Sequence, residues 1–253
     1  MHIAYGNYGM PHTPYPMMIQ QVAAIGYTGL ELCVAPGYPT APDALAPADR
    51  TALRQLSAEH HLAIDSLLLA KVPVLEADAE QHAAHLAGLR QIFELAADLG
   101  LAQPIVTSTL GGRIEDWVQK QDLLAACVHD WAAVAADYDG IFGFEPHVGI
   151  IHTPERARWL LDQVHHPHLK LNFDYSHFEL MDIPLADAIQ QLIPHAVGVH
   201  VKDVRGVIPF RFLLPGEGDV DYRDYLHRLQ TAGYDGAITV EISGQLLRPA
   251  MMR

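Results

Sequence analysis

The amino-acid sequence predicts one (β/α)8 barrel. Three observations carry that prediction. Short apolar, β-branched runs recur along the chain, segments with helical periodicity separate them, and eight such strands fit into 253 residues, the size of a single α/β barrel. Apolar runs each followed by a helix belong to a parallel sheet covered on its outer face. A doubly wound sheet would alternate too, but its first strand would more often open onto a Gly-rich phosphate loop. Gly6–Asn7–Tyr8–Gly9 followed by Met10–Pro11 is not one.

The expected strands are Ile3–Tyr5, Leu30–Val34, Ala63–Leu69, Pro104–Thr107, Ile141–Phe144, Leu169–Phe173, Val197–Val201 and Ala237–Val240. Among the helices, Leu86, Leu89, Ile92, Phe93, Ala96 and Leu99 form one apolar stripe that stops at Gly100. Trp117, Leu124, Cys127, Trp131 and Val134 form another, so both tryptophans read as core residues. Thr153 is placed to cap a helix with Pro154 at its first position, and Asp221 starts the helix ended by Gly233. Gly26–Tyr–Thr–Gly29 before the second strand is echoed by Gly233–Tyr–Asp–Gly236 before the eighth, a repeated helix–turn–strand joint. No linker or low-complexity stretch appears, so residues 1–253 read as one domain. After Glu241 only twelve residues remain, interrupted by Pro249, so the eighth helix is expected to be short or missing. That would follow if the chain is trimmed, if its ordered part ends early, or if a neighbouring subunit of a homo-oligomer covers the gap.

Half the residues are apolar and 18% are charged, which supplies a sizeable core. The net charge of -14 disfavours general binding to nucleic acid or anionic membranes, although it permits a local basic groove. Cys33 and Cys127 form no CxxC pair, and neither a signal segment nor a run of about twenty apolar residues occurs. A soluble, cytoplasmic protein is the expectation.

In such barrels chemistry sits where strands end. The fifth strand runs into Glu145–Pro–His147, the sixth into Asp174–Tyr–Ser–His177, the seventh carries His200–Val–Lys202–Asp203 and the eighth ends at Glu241. Any one of these residues alone would read as a helix cap or an arginine partner. Four on consecutive strands read as a metal site, because three carboxylates at one height repel unless a cation holds them. Three oxygen donors and one imidazole suit Mn2+, Mg2+ or Co2+ better than a structural zinc. With a dication the site carries a charge of about -1, which leaves room for neutral oxygen donors of a substrate.

Glu145–Pro–His, Asp174–Tyr–Ser–His177, His200–Val–Lys–Asp203, Pro215–Gly–Glu–Gly–Asp–Val–Asp221 and Val240–Glu241 occur in that order. The series resembles the xylose isomerase-like TIM barrels of the sugar phosphate isomerase/epimerase branch, and Gly26–Tyr–Thr–Gly–Leu–Glu–Leu32 resembles their entry to the second strand. The resemblance covers nearly the whole chain, with its strong motifs from the fifth strand onward. It implies that Glu145, Asp174, His200 and Glu241 bind one divalent ion, Mn2+ first, with Mg2+, Co2+ or Zn2+ as alternatives. It also implies that Glu145 and Glu241 exchange the proton of a small carbohydrate substrate through an enediolate.

Around that centre, His177 is expected to bind a substrate hydroxyl, and His147 either to bind substrate or to brace Glu145. Lys202 either offsets charge developing on the substrate or neutralises the carboxylates. Tyr5 and Tyr8 are expected to wall the pocket. Asp203 and Arg205 read equally as a loop ion pair or as substrate contacts, Glu217 as part of a Gly-x-Gly turn, and Gly111–Gly112–Arg113 as a flexible loop or a weak anion site. A lyase eliminating water from a keto-polyol, as in inosose dehydratase, is the alternative reading. An endonuclease IV-like enzyme would need histidines after the third and fourth strands, where Leu68–Leu69–Ala70 and Thr107–Ser108–Thr109 stand. A barrel that binds a sugar without turning it over would be expected to lack a ligand, and all four are present.

Overall fold

The structure, a computed structural model, describes residues 1–206 and 211–242. Strands β1 (His2–Gly6), β2 (Gly29–Cys33), β3 (Ala63–Lys71), β4 (Ile105–Thr109), β5 (Ile141–Phe144), β6 (Leu169–Asp174) and β7 (Ala196–Val201) precede a short hairpin of β8 (Asp203–Arg205) and β9 (Arg211–Leu213), and β10 (Ala237–Glu241) follows. Seven of these and β10 close into a parallel barrel in the order β1-β10-β7-β6-β5-β4-β3-β2. The hairpin is an antiparallel addition that the sequence reading treated as loop.

The helices are α1 (Tyr15–Ile25), α2 (Pro47–Glu59), α3 (Ala79–Leu99), α4 (Trp117–Ala136), α5 (Pro154–Val164), the five-residue α6 (Tyr175–Glu179), α7 (Leu185–Leu192) and α8 (Tyr222–Thr231). Their starts follow from local chemistry. Asp78 caps α3 by accepting from the Gln81 amide while Gln81 reaches back to the Asp78 amide, a reciprocal pair worth about 1 kcal/mol. Thr153 and Asp221 cap α5 and α8 as expected. Gly26 and Gly233 take φ of 105° and 79°, which only glycine adopts without strain, so the echoed joints have one physical cause.

Side chains alternate across the barrel wall. Leu30, Leu32, Val106, Phe142, Phe144, Leu171, Phe173 and Val199 are fully buried and pack against Ile19, Leu53, Phe93, Trp131, Leu160 and Leu229 of the helices. Trp117 differs from its expected place: it is only half-buried, edge-on to Trp159 and beneath the Arg156 guanidinium. Inward positions include small residues such as Ala4, Gly6 and Gly143 beside polar ones such as Glu31, Thr107, Asn172 and Thr239, and they lead up to the strand ends that carry the site. The short or missing eighth helix was expected beyond residue 242, outside the described residues. No helix among the described residues is long and apolar enough to cross a membrane.

Candidate metal centre

Glu145 follows β5, Asp174 ends β6, His200 lies near the end of β7 and Glu241 ends β10. All four are buried, and one donor atom from each falls within 4.8 Å of the others. The barrel backbone does the aiming. The Glu145 amide continues the ladder by donating to the Ser108 carbonyl, and His200 pairs in register with Asp174 on β6 and Thr239 on β10. Asp174 doubles as the cap of α6, with Oδ1 accepting from the Ser176 amide, so Oδ2 remains for the site.

Nδ1 of His200 lies 2.7 Å from Glu241 Oε2 and 3.1 Å from Glu145 Oε2. Lys202, also buried, sets its ammonium 2.8 Å from Asp174 Oδ2, 3.3 Å from Glu241 and 3.9 Å from Glu145. Burial on its own would raise the Glu145 and Glu241 carboxyls, but His200 and Lys202 outweigh it and hold both below the usual carboxylate range. Burial would lower His200, and the carboxylates of Glu31 and Glu145 push it well above its ordinary value instead.

The residues fit a divalent cation. Both ring nitrogens of His200 and Oδ2 of Asp174 are buried in close ionic contact with neighbours, yet none makes a well-aligned hydrogen bond. Asp174 Oδ2, His200 Nδ1 and the two glutamates, buried and crowding one point, have the pattern of a coordination shell. Lys202 revises the charge count: three carboxylates face one ammonium, so a dication would bring the group to neutrality.

The structure gathers most of the other expected residues around this centre. His177 Nε2 lies 3.4 Å from Glu145 Oε1 and 3.8 Å from Asp174 Oδ2. His147 stands behind it, ring edge to ring face at 6.1 Å, with its amide donating to the Ile151 carbonyl. Tyr8 stacks on Tyr38, and its phenol is raised by burial and by the Glu241 carboxylate. Tyr5 is corrected. Ala4 and Gly6 face into the barrel, so Tyr5 faces out and packs edge-on against Tyr27 at 5.4 Å. Asp203 and Arg205 do not pair with each other. Asp203 accepts backbone N–H groups from Val204, Gly216, Gly218 and Val220, whereas Arg205 pairs with Asp219. Arg113 is engaged by Glu115 and Asp116.

Three participants escaped the sequence reading. Glu31 lies 2.9 Å from His200 Nε2, Asn172 donates to Glu145 Oε2 at 2.9 Å, and Phe212 of the hairpin meets both His177 and the Lys202 ammonium. Glu31 had a signal: a lone acid inside the apolar run Leu30–Glu31–Leu32.

The family model described as "Xylose isomerase-like TIM barrel" matches residues 19–251. A Danio rerio protein named "Putative hydroxypyruvate isomerase" is 25% identical over 122 residues, covering 45% of this chain and 43% of that protein. The match thus spans less than half the relative's length. Among solved structures, the probable 3-DHS dehydratase AsbF from Bacillus anthracis aligns with a TM-score of 0.83 at 17% identity, covering 100% of this chain and 98% of that one. A D-psicose 3-epimerase solved in the presence of D-fructose aligns at 0.78 and 16% identity, covering 96% of this chain and 85% of the other. At such identities the solved structures speak for the fold alone. The family match spans most of the sequence, and the chain belongs to the xylose isomerase-like TIM barrel family.

Proposed function

We propose that the protein is a metal-dependent isomerase or epimerase of small polyhydroxy aldehydes or ketones, with Mn2+ as its preferred cation. The observation that carries this reading is the convergence of Glu145 and Glu241 on one nitrogen of His200. The two glutamates come from the ends of a four-strand arc, β5-β6-β7-β10, with Asp174 and His200 between them. A cation held there supplies positive charge for an oxyanion forming on the substrate carbonyl and its neighbouring hydroxyl.

In this reading Glu145 takes the proton from the carbon beside the carbonyl, and Glu241 returns one from the other end of the arc. Return to the opposite face of the same carbon epimerises it. Relay to the adjacent carbon exchanges aldose and ketose. His177 reaches the mouth of the cluster and orients a substrate hydroxyl, and His147 steadies His177. Lys202 damps the repulsion among the carboxylates. The alternative is a lyase, because elimination of water shares the first proton abstraction.

Incubation of a panel of ketoses and keto-inositols with the Mn2+-loaded protein in D2O separates the two. Deuterium gained with the carbon skeleton and oxygens retained supports isomerisation or epimerisation, whereas loss of water supports the lyase. Turnover that survives Glu241→Gln unchanged, in a protein that takes up no divalent ion, overturns both.

A further inference from the structure

Below the four donors lies a second tier of inward-facing polar residues: Glu31, Ser66, Thr107, Asn172 and Thr239, all buried. Glu31 is the acid among them. A carboxylate buried in a strand is costly unless it is paired, by several kcal/mol on the order of the ion's desolvation. Two partners meet it: Oε1 lies 2.9 Å from His200 Nε2 in ionic contact, and Oε2 accepts a hydrogen bond from Ser66 Oγ at 2.8 Å. The strand pairing is irregular at this point. Leu30 faces Ile64, but Glu31 faces Ser66, so Asp65 is skipped. An irregularity of this kind re-aims side chains, and here it brings the Ser66 hydroxyl level with the Glu31 carboxylate. A cavity of about 210 Å³ touches Glu31 and Ser66, with Thr107, Asn172 and Thr239 among its polar walls and Ile105, Val197 and Ala237 among its apolar ones.

His200 has two nitrogens that could serve a cation, and only Nδ1 faces Glu145 and Glu241. We infer that Glu31 is a positioning residue for the cation site: its carboxylate engages the Nε2 edge of His200 and so keeps Nδ1 directed at the two glutamates. The inference rests on the proposed role of His200 as a ligand. A carboxylate on the far nitrogen fixes the tautomer and orientation of the ring and raises its basicity as a donor.

The test compares metal-stripped parent, Glu31→Ala and Glu31→Gln proteins by calorimetric Mn2+ titration, Co2+ visible absorption and thermal melting. Glu31→Ala is expected to weaken Mn2+ binding about 10–100-fold, with Glu31→Gln between it and the parent and an altered Co2+ spectrum in both. A Glu31 that is merely structural would lower the melting temperatures and leave Mn2+ affinity within about twofold, which overturns the inference. A crystal structure of the Mn2+-loaded parent needs no variant to fold. Ligation through Nδ1 with Glu31 on Nε2 supports the inference, and ligation through Nε2 overturns it. A parent that binds no Mn2+ instead overturns the metal reading itself, a result distinct from unaltered affinity in the variants.

Discussion

The Lys202 ammonium sits 2.8 Å from Asp174 Oδ2, buried among the carboxylates whose repulsion it offsets. Replacing it with an apolar chain of similar length removes one partner of a buried ion pair and leaves the other uncompensated. Lys202→Met is therefore expected to cost the cation-free protein about 3–5 kcal/mol. Added Mn2+ should restore much of that loss by supplying the missing positive charge. Urea unfolding with and without Mn2+ measures both effects, and an equal loss in the two conditions would contradict the neutralising role.

Glu145→Gln and Glu241→Gln keep shape and remove the proton acceptor. Each is expected to lower kcat by about 10²–10⁴-fold, the usual worth of a positioned acid or base. His147 meets His177 ring to ring at 6.1 Å, one residue removed from the donors. His147→Ala should therefore only weaken turnover, by about tenfold or less against that same scale. Steady-state kinetics on the substrate found in the D2O panel ranks the three.

The site titrates in opposite senses. Glu145 and Glu241 are held below their ordinary value of 4.5, so their contribution is complete above that pH and lost as pH falls through the lowered values. His200 is raised above its ordinary 6.5, so its contribution is complete below 6.5 and lost as pH rises through the raised value. The cation-free protein should thus lose stability towards both acid and alkaline pH. Mn2+ must displace the proton on His200, so its affinity should climb as pH rises from neutrality. Unfolding at a series of pH values, and calorimetry in buffers of different ionisation enthalpy, read the two effects.

Asp203 gathers four backbone amides and so ties the turn at 214–220 to the end of β7. Gly218 approaches so closely that an added Cβ would fall on the Asp203 carboxylate and the Val204 carbonyl. Asp203→Ala should destabilise the fold by about 1–3 kcal/mol and speed proteolysis within this turn. Because Phe212 of the adjoining hairpin touches His177 and Lys202, KM should rise more than kcat falls. Limited proteolysis with kinetics checks this, and a turn as resistant as in the parent would count against the staple.

The barrel was legible because its strands read as apolar runs, and the four-residue cluster because β5, β6, β7 and β10 each bring an acid or an imidazole at or just beyond the strand end. Periodicity and strand parity carry that much. The second tier was not, because Glu31 and Asn172 gain their meaning from His200 and Glu145, which lie far away in sequence and adjacent only once the ring closes. Tyr5 was misplaced by one step of parity: β1 runs on to Gly6, which turns Tyr5 to the outer face. The β8–β9 hairpin has three-residue strands, too short for alternation to register.

β10 fits between β1 and β7, pairing with both. On one side β10 brings Glu241 to His200 of β7, the barrel strand before it in sequence, whereas on its other side it meets β1, a contact between segments at opposite ends of the described chain. Such contacts form late and slowly in folding, since loop entropy is lost before they repay it. Completion of the four-residue cluster on β5-β6-β7-β10 and ring closure are accordingly separate events, and it is Glu31 on β2 that closure brings against His200. A protein caught before closure has the arc of Glu145, Asp174, His200 and Glu241 without Glu31 against the far edge of His200, so a late gain in cation affinity during refolding would time the closing of the barrel.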